Sequence, residues 1–330
     1  MALLRPLGVD VTVRCWEHRT LVELQEANLA IETGGPGAIT LPAALCEGLD
    51  AFDIIVTQFT PLDQRFIEAA RRVKVIGTLR GGLENIDVAA ATARGISVLN
   101  TPGRNARAVA ECTLGLILTE VRNLARSHAR LMRGKWTRTF PNTDEIPELN
   151  GKTVGLVGLG AVARLVAGYL HALGSQVIAY DPFVNGDTGD VRMVDLPTLM
   201  RESDIISVHA RLTPETQHLI GEPQLALMKK SAVLVNTARS GLVDEQALTR
   251  ALAERRIMGA ALDVFDVEPL PADHPLLKLD NVTLTPHLAG SSVDAFRNSP
   301  RMMAGHLIRM LRGERPLPVV NGVEPQLTLN

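Results

Sequence analysis

Three ionisable side chains sit where chemistry could be done. Arg239 lies in LVNTARSGLVDE, Glu268 in ALDVFDVEPL and His287 in TLTPHLAGSS. Each follows a short apolar run of strand character: AVLVNT, GAALDVF and NVTLTP. Open α/β sheets place their ligand crevices at the C-terminal ends of strands. A histidine titrates near neutral pH and can give or take a proton. An arginine fork grips a carboxylate with two hydrogen bonds. Taken singly, none is decisive. Eight histidines occur in the chain, an arginine can cap a strand, and a glutamate can pair with a surface lysine.

A second constellation says what such a crevice would hold. The run TVGLVG feeds Gly158-Leu159-Gly160-Ala161-Val162-Ala163, and a helical pattern follows. This is the G-x-G-x-x-G/A dinucleotide fingerprint, with Ala163 as its third small position. Gly158 permits the tight turn, and Gly160 lets backbone approach a pyrophosphate. The helix start at Ala161 and Val162 offers N–H groups and partial positive charge to phosphates. The next strand ends at Asp181, 21 residues after Gly160, where a carboxylate can take both ribose hydroxyls. A carboxylate there repels a 2′-phosphate, and Pro182-Phe183-Val184 supplies no cation to receive one. NAD is therefore favoured over NADP. Thr237, at the end of AVLVNT, is a further candidate cofactor contact.

The elements that must position these residues alternate. Strands are expected at VDVTVR, DIIVTQF, VKVIGT and ISVLN in the first third, with helical patterns between them. NTPGRN then punctuates the chain. One long helical stretch is expected from Ala106 to Gly134, apolar on several sides and so buried between two bodies. WTRTFPNTDEIPELNGK reads as a loop. A second alternating set runs from Thr153 to NVTLTP, and 291–312 reads as helical. Strand–helix alternation predicts parallel sheets covered by helices, and two such sets predict two α/β domains.

With these motifs in order, the chain resembles the D-isomer-specific 2-hydroxyacid dehydrogenases, in particular their phosphoglycerate dehydrogenase-like group. The resemblance rests on RGGLENIDVAAATARGI, NTPGRNARAVAE, GLVGLGAVAR, LTPETQHLI, LVNTARSGLVDE, ALDVFDVEPL and TPHLAG. It implies two doubly wound parallel-sheet domains, a Rossmann nucleotide-binding domain (105–291) inserted into a flavodoxin-like substrate-binding domain (1–104 and 292–330). It implies that Arg239 binds the substrate carboxylate, that His287 is the acid–base and that Glu268 orients the imidazole and favours its charged form. Asp263 matches a position that contacts the nicotinamide carboxamide. Arg80, Gly81 and Gly82 match a loop whose backbone N–H groups hold the carboxylate, where a glycine nest suits an anion. Arg80 is a candidate for a second acidic group, and Asn105 a lesser candidate for the same region. The helix after Gly103 resembles a homodimer-forming element.

The implied activity is NAD-dependent interconversion of a D-2-hydroxy acid and a 2-oxo acid. The alternative is a non-catalytic NAD(H)-binding regulator on the same scaffold. Formate dehydrogenases resemble this scaffold but pair the histidine with glutamine, so Glu268 favours hydroxy-acid chemistry. The chain departs from the commonest family pattern at Ala163, at Ala210-Arg211 and at Ser240. It ends soon after PLPVVNGVEP, so no C-terminal regulatory domain is expected.

Bulk properties agree with that picture. The 330 residues exceed one ordinary core. The 34 basic and 36 acidic residues leave a net charge of -2, which gives no electrostatic case for nucleic acid. The basic stretch 122–136 reads as a solvated helix end. Cys15, Cys46 and Cys112 are odd in number and far apart, without metal spacing, which fits reduced thiols and a cytoplasmic location. No signal-peptide core opens the chain, and the most apolar stretch is broken by glycines, so no membrane partner is expected.

Overall fold

A computed structural model describes residues 2–315 and 318–328. The chain divides into two compact units, Met1–Arg104 with Val293–Asn330 and, between them, Asn105–Ser292.

In the discontinuous unit, β1 (Ile54–Thr57), β2 (Val75–Thr78) and β3 (Ser97–Leu99) form a parallel sheet in that order. Ile76 and Val98 face one core, shared with Phe66, Ile67 and Ala91 from two short helices. Val75 and Leu99 face a second core. It is closed by Met303, Leu307 and Met310 of the helix Val293–Leu311, the helix expected there. Gly77 lets Met303 pack close, since a β-carbon would fall 2.8 Å from the Met303 sulfur and the side chain would have to shift.

The first expected strand, VDVTVR, is not formed. Residues 9–18 have no regular structure, and Val13 is 77% exposed. Alternating valines favour a strand only when a neighbour pairs with them and one face is covered. Here β1 is the edge of its sheet, and no strand lies along its outer side among the described residues.

The inserted unit holds a seven-stranded parallel sheet in the order β10-β9-β8-β7-β4-β5-β6. Its strands are β4 (Thr153–Val157), β5 (Gln176–Tyr180), β6 (Arg192–Met193), β7 (Ile205–Val208), β8 (Val233–Asn236), β9 (Gly259–Leu262) and β10 (Val282–Leu284). β7, β8 and β9 are buried along their whole length, as in parallel sheets covered on both faces. Helices Ala106–Val121 and Ala161–Ala172 cover one face through Leu116, Ile117, Val166 and Leu170. Helices Leu196–Glu202 and Glu245–Ala253 cover the other through Leu199, Met200, Leu248 and Leu252. This is a doubly wound Rossmann sheet with one further strand, β10. The strand order reverses between β4 and β7, the switch point where such sheets open a crevice.

The long helical stretch is also corrected. It forms two helices, Ala106–Val121 and Leu124–Leu131, rather than one. Asn123 breaks it with a left-handed φ of 55°, and its side chain donates to the Asn142 side chain at 2.6 Å. Asparagine tolerates that conformation better than most residues, and an apolar period shows nothing of it. Leu124, within the stretch expected to be buried, is 53% exposed.

Candidate active site

The glycine turn follows β4 at the switch point. Gly158 has φ 93°, and a β-carbon there would lie 2.7 Å from the Ala210 backbone nitrogen. Only glycine satisfies both demands. Gly160 caps the helix Ala161–Ala172 without a side-chain hydrogen bond, and nothing lies within 4 Å of where its β-carbon would be. The first turn of a helix leaves backbone N–H groups unpaired, so Ala161 and Val162 present donors beside open space. Ala163 is fully buried at the helix–sheet contact. Asp181 closes the far side of the turn. One carboxylate oxygen accepts from the Leu159 N–H and the other from the Phe183 N–H, both at 2.9 Å. These features fit a dinucleotide: a close backbone approach, a helix start aimed at phosphates and a carboxylate at the end of β5.

The three ionisable residues occupy neighbouring strand ends. Arg239 follows β8, Glu268 follows β9 and His287 follows β10, and these strands are adjacent and parallel. Strands stand about 4.8 Å apart, so the loops after β8 and β10 start about 10 Å apart, within reach of one small molecule held between them. His287 Nδ1 and Glu268 Oε2 are 2.7 Å apart. The other oxygen of Glu268 accepts from the Phe265 N–H at 3.0 Å, which fixes the carboxylate plane. With Nδ1 committed, Nε2 is the nitrogen left for a substrate. Arg239 is exposed, and among the described residues it donates only to the Ala238 carbonyl of its own loop, at 2.8 Å. Asn236 shapes that loop, accepting from the Ala238 N–H and donating to the Arg239 carbonyl, each at 3.0 Å.

His287 holds a left-handed φ of 50°, unusual for a residue with a β-carbon. The surrounding turn is tied to Asp263, which is fully buried. The Asp263 carboxylate accepts from Thr285 Oγ1 at 2.5 Å, from the Leu288 N–H at 3.0 Å and from the Ala289 N–H at 2.8 Å. These contacts and the Phe265 and Asn236 supports have no motif in the sequence. Spacing along the chain carries no signal of backbone N–H groups pointing at a distant carboxylate. Thr237 is buried, its hydroxyl 2.8 Å from that of Thr113 on the helix Ala106–Val121. Asn105, at the start of that helix, packs against Gly290, where a β-carbon would fall 2.4 Å from its Nδ2. Arg211 is exposed, and Ser240 opens a one-turn 3-10 helix directly after Arg239.

Arg80, Gly81 and Gly82 belong to the other compact unit. Arg80 is already engaged: its guanidinium donates to Glu32 at 2.7 Å and lies 3.9 Å from the centre of the Phe59 ring. The loop is fastened to NTPGRN by Asn100 Nδ2, which donates to the Gly81 carbonyl, and by the Thr101 N–H, which donates to the Arg80 carbonyl. Among the described residues no group of three His, Cys, Asp or Glu could hold a metal ion, and no helix is long and apolar enough to cross a membrane.

A glycine turn opening a helix, a histidine paired with a glutamate and an exposed arginine at neighbouring strand ends are what a nucleotide-dependent oxidoreductase would need. Comparison with known proteins agrees. Residues 114–289 match the family model for the D-isomer specific 2-hydroxyacid dehydrogenase NAD binding domain. D-3-phosphoglycerate dehydrogenase of Methanocaldococcus jannaschii is 44% identical over 277 residues, covering 82% of this chain but 52% of that protein. Glyoxylate reductase of Thermofilum pendens is 44% identical over 265 residues, covering 79% and 78%. The NAD-complexed D-isomer specific 2-hydroxyacid dehydrogenase of Lactobacillus delbrueckii ssp. bulgaricus superposes with a TM-score of 0.76 at 30% identity, over 86% of this chain and 91% of that one. The chain spans about half the length of the phosphoglycerate dehydrogenases it matches. It belongs to the D-isomer-specific 2-hydroxyacid dehydrogenase family, and the part matched to that family's NAD binding domain lies within the inserted unit.

Proposed function

We propose that the protein interconverts a D-2-hydroxy acid and a 2-oxo acid, with Arg239, Glu268 and His287 as its catalytic residues. The observation that carries this is the 2.7 Å contact between His287 and Glu268 on strands adjacent to the one that presents Arg239. Bound NAD supplies the hydride acceptor, or NADH the donor. Reduction of a 2-oxo acid leaves negative charge on the former carbonyl oxygen. His287 Nε2 delivers a proton there, and in oxidation it removes one. Glu268 accepts from Nδ1, sets the tautomer and stabilises the imidazolium. Arg239 holds the substrate carboxylate with its fork and draws density from the adjacent carbonyl.

NAD binding falls to Gly158, Gly160, Ala161, Val162 and Asp181, with Thr237 and Asp263 beside the reacting end. The discontinuous unit supplies the substrate-binding domain, and Arg80, Gly81 and Gly82 form its carboxylate loop. A cytoplasmic homodimer completes the proposal. Three free cysteines support the location. Exposed Leu124, Leu131, Met132 and Trp136, along and just beyond the second helix after Gly103, support the dimer. Oxidation of NADH across a panel of 2-oxo acids, phosphorylated and sugar-derived ones included, tests the activity. Turnover of at least one acid is expected. Tight NADH binding with no turnover of any would overturn it and favour a regulator.

A further inference from the structure

We propose that Asp263 is a positioning residue for the reaction, its buried carboxylate holding the turn that aims His287. The inference rests on His287 being the acid–base. Asp263 sits one residue past β9, and the turn it grips follows β10, the neighbouring strand. Its two oxygens take three donors that bracket His287 in sequence: Thr285 Oγ1 two residues before, then the Leu288 and Ala289 N–H groups after.

The need for such a clamp follows from the backbone. His287 has φ 50°, a conformation that an L-residue holds only when its surroundings enforce it. The same turn is exposed at Pro286, His287 and Leu288, so apolar packing cannot enforce it. The enforcement comes from below, through a side chain with no exposed surface. A carboxylate is the group for this task. It accepts on both oxygens with about four lone-pair sites, and hydrogen bonds to a charged acceptor are roughly twice as strong as neutral ones. A released turn would let the imidazole leave Glu268. A displacement of about 1 Å in a catalytic group costs about 10²-fold in rate.

Two substitutions test this. Asp263→Asn keeps the shape but turns one acceptor into a donor that faces the turn's own donors. Thr285→Val removes one tether at a residue with no assigned cofactor contact, and Thr285→Ser is its conservative control. Each is assayed for kcat, for KM of the 2-oxo acid and, by fluorescence titration, for NADH affinity. In Asp263→Asn, kcat should fall about 10²-fold. In Thr285→Val it should fall by a smaller but clear factor, recovered in Thr285→Ser. NADH affinity should change less than threefold in Thr285→Val. Unchanged kcat with weakened NADH binding in Asp263→Asn would make Asp263 a cofactor ligand only. Unchanged kcat in Thr285→Val would overturn the clamp even if Asp263→Asn were misfolded. Full turnover in His287→Ala would instead remove the parent assignment, so the two failures are distinct.

Discussion

His287 and Arg239 do different work, and substitution separates them. Removing a general acid–base costs about 10²- to 10⁴-fold in turnover. His287→Ala should lose turnover by that factor and still bind NADH, as measured by steady-state rates beside a binding titration. Arg239 makes no salt bridge with another side chain among the described residues, so its truncation leaves no buried partner unpaired. A charge-assisted hydrogen bond contributes about 1.5–3 kcal/mol. Arg239→Ala should therefore lower kcat/KM for the 2-oxo acid about 10- to 100-fold and leave NADH affinity within a few-fold. Equal losses in both would place Arg239 outside substrate binding. Glu268 could be named from its motif. That one of its oxygens is spent on the Phe265 N–H could not.

The glycine turn and the strand that follows it act as one element. Asp181 joins the end of β5 to the Leu159 N–H, so the carboxylate both shapes the turn and offers charge to a ribose. Asp181→Asn keeps an acceptor for Leu159 and removes the charge. The NAD-to-NADP preference should drop at least about tenfold, near 1.4 kcal/mol, in paired kcat/KM measurements. An unaltered ratio would place ribose recognition elsewhere. Gly158→Ala meets backbone rather than a movable side chain, and its φ of 93° suits glycine alone. The conformational cost is about 1–3 kcal/mol, with the steric conflict added. A lower Tm together with weakened NADH binding is expected, and a wild-type Tm would refute the close approach.

A half-buried histidine makes the stability of the inserted unit depend on pH. His209 follows β7 beside the glycine turn, and its Nε2 is 2.9 Å from Ser207 Oγ. Burial of its ring lowers its pKa from 6.5 to about 4. A depressed pKa means that the folded state resists protonation. The stability tied to the neutral ring is complete above 6.5 and drains away as pH falls toward 4. The loss is at most about 3 kcal/mol, and less to the extent that the residue keeps some exposed surface. Thermal unfolding across that window should show Tm falling on acidification, with a shallower fall in His209→Gln. Identical slopes would assign the acid sensitivity to other groups.

What could be read from residue order was whatever depends on local pattern. The strands expected from DIIVTQF onward are present because strands of a covered parallel sheet are short apolar runs, and the phosphate turn is legible because glycine and small-residue spacing is a local steric demand. The trio at Arg239, Glu268 and His287 could be named from motif and placed at strand ends, since a parallel sheet puts every such end on one side. Other features arose only in three dimensions. VDVTVR has strand composition, yet it leaves the outer edge of β1 unpaired, and composition alone does not make a strand. The helix after Gly103 breaks because the Asn123 side chain finds Asn142, a contact with no footprint in apolar period. β6 is two residues long, too short for any period to show. The grip of Asp263 on the His287 turn joins a carboxylate to N–H groups 25 and 26 residues away, and backbone donors are the same in every sequence until the fold decides where they point.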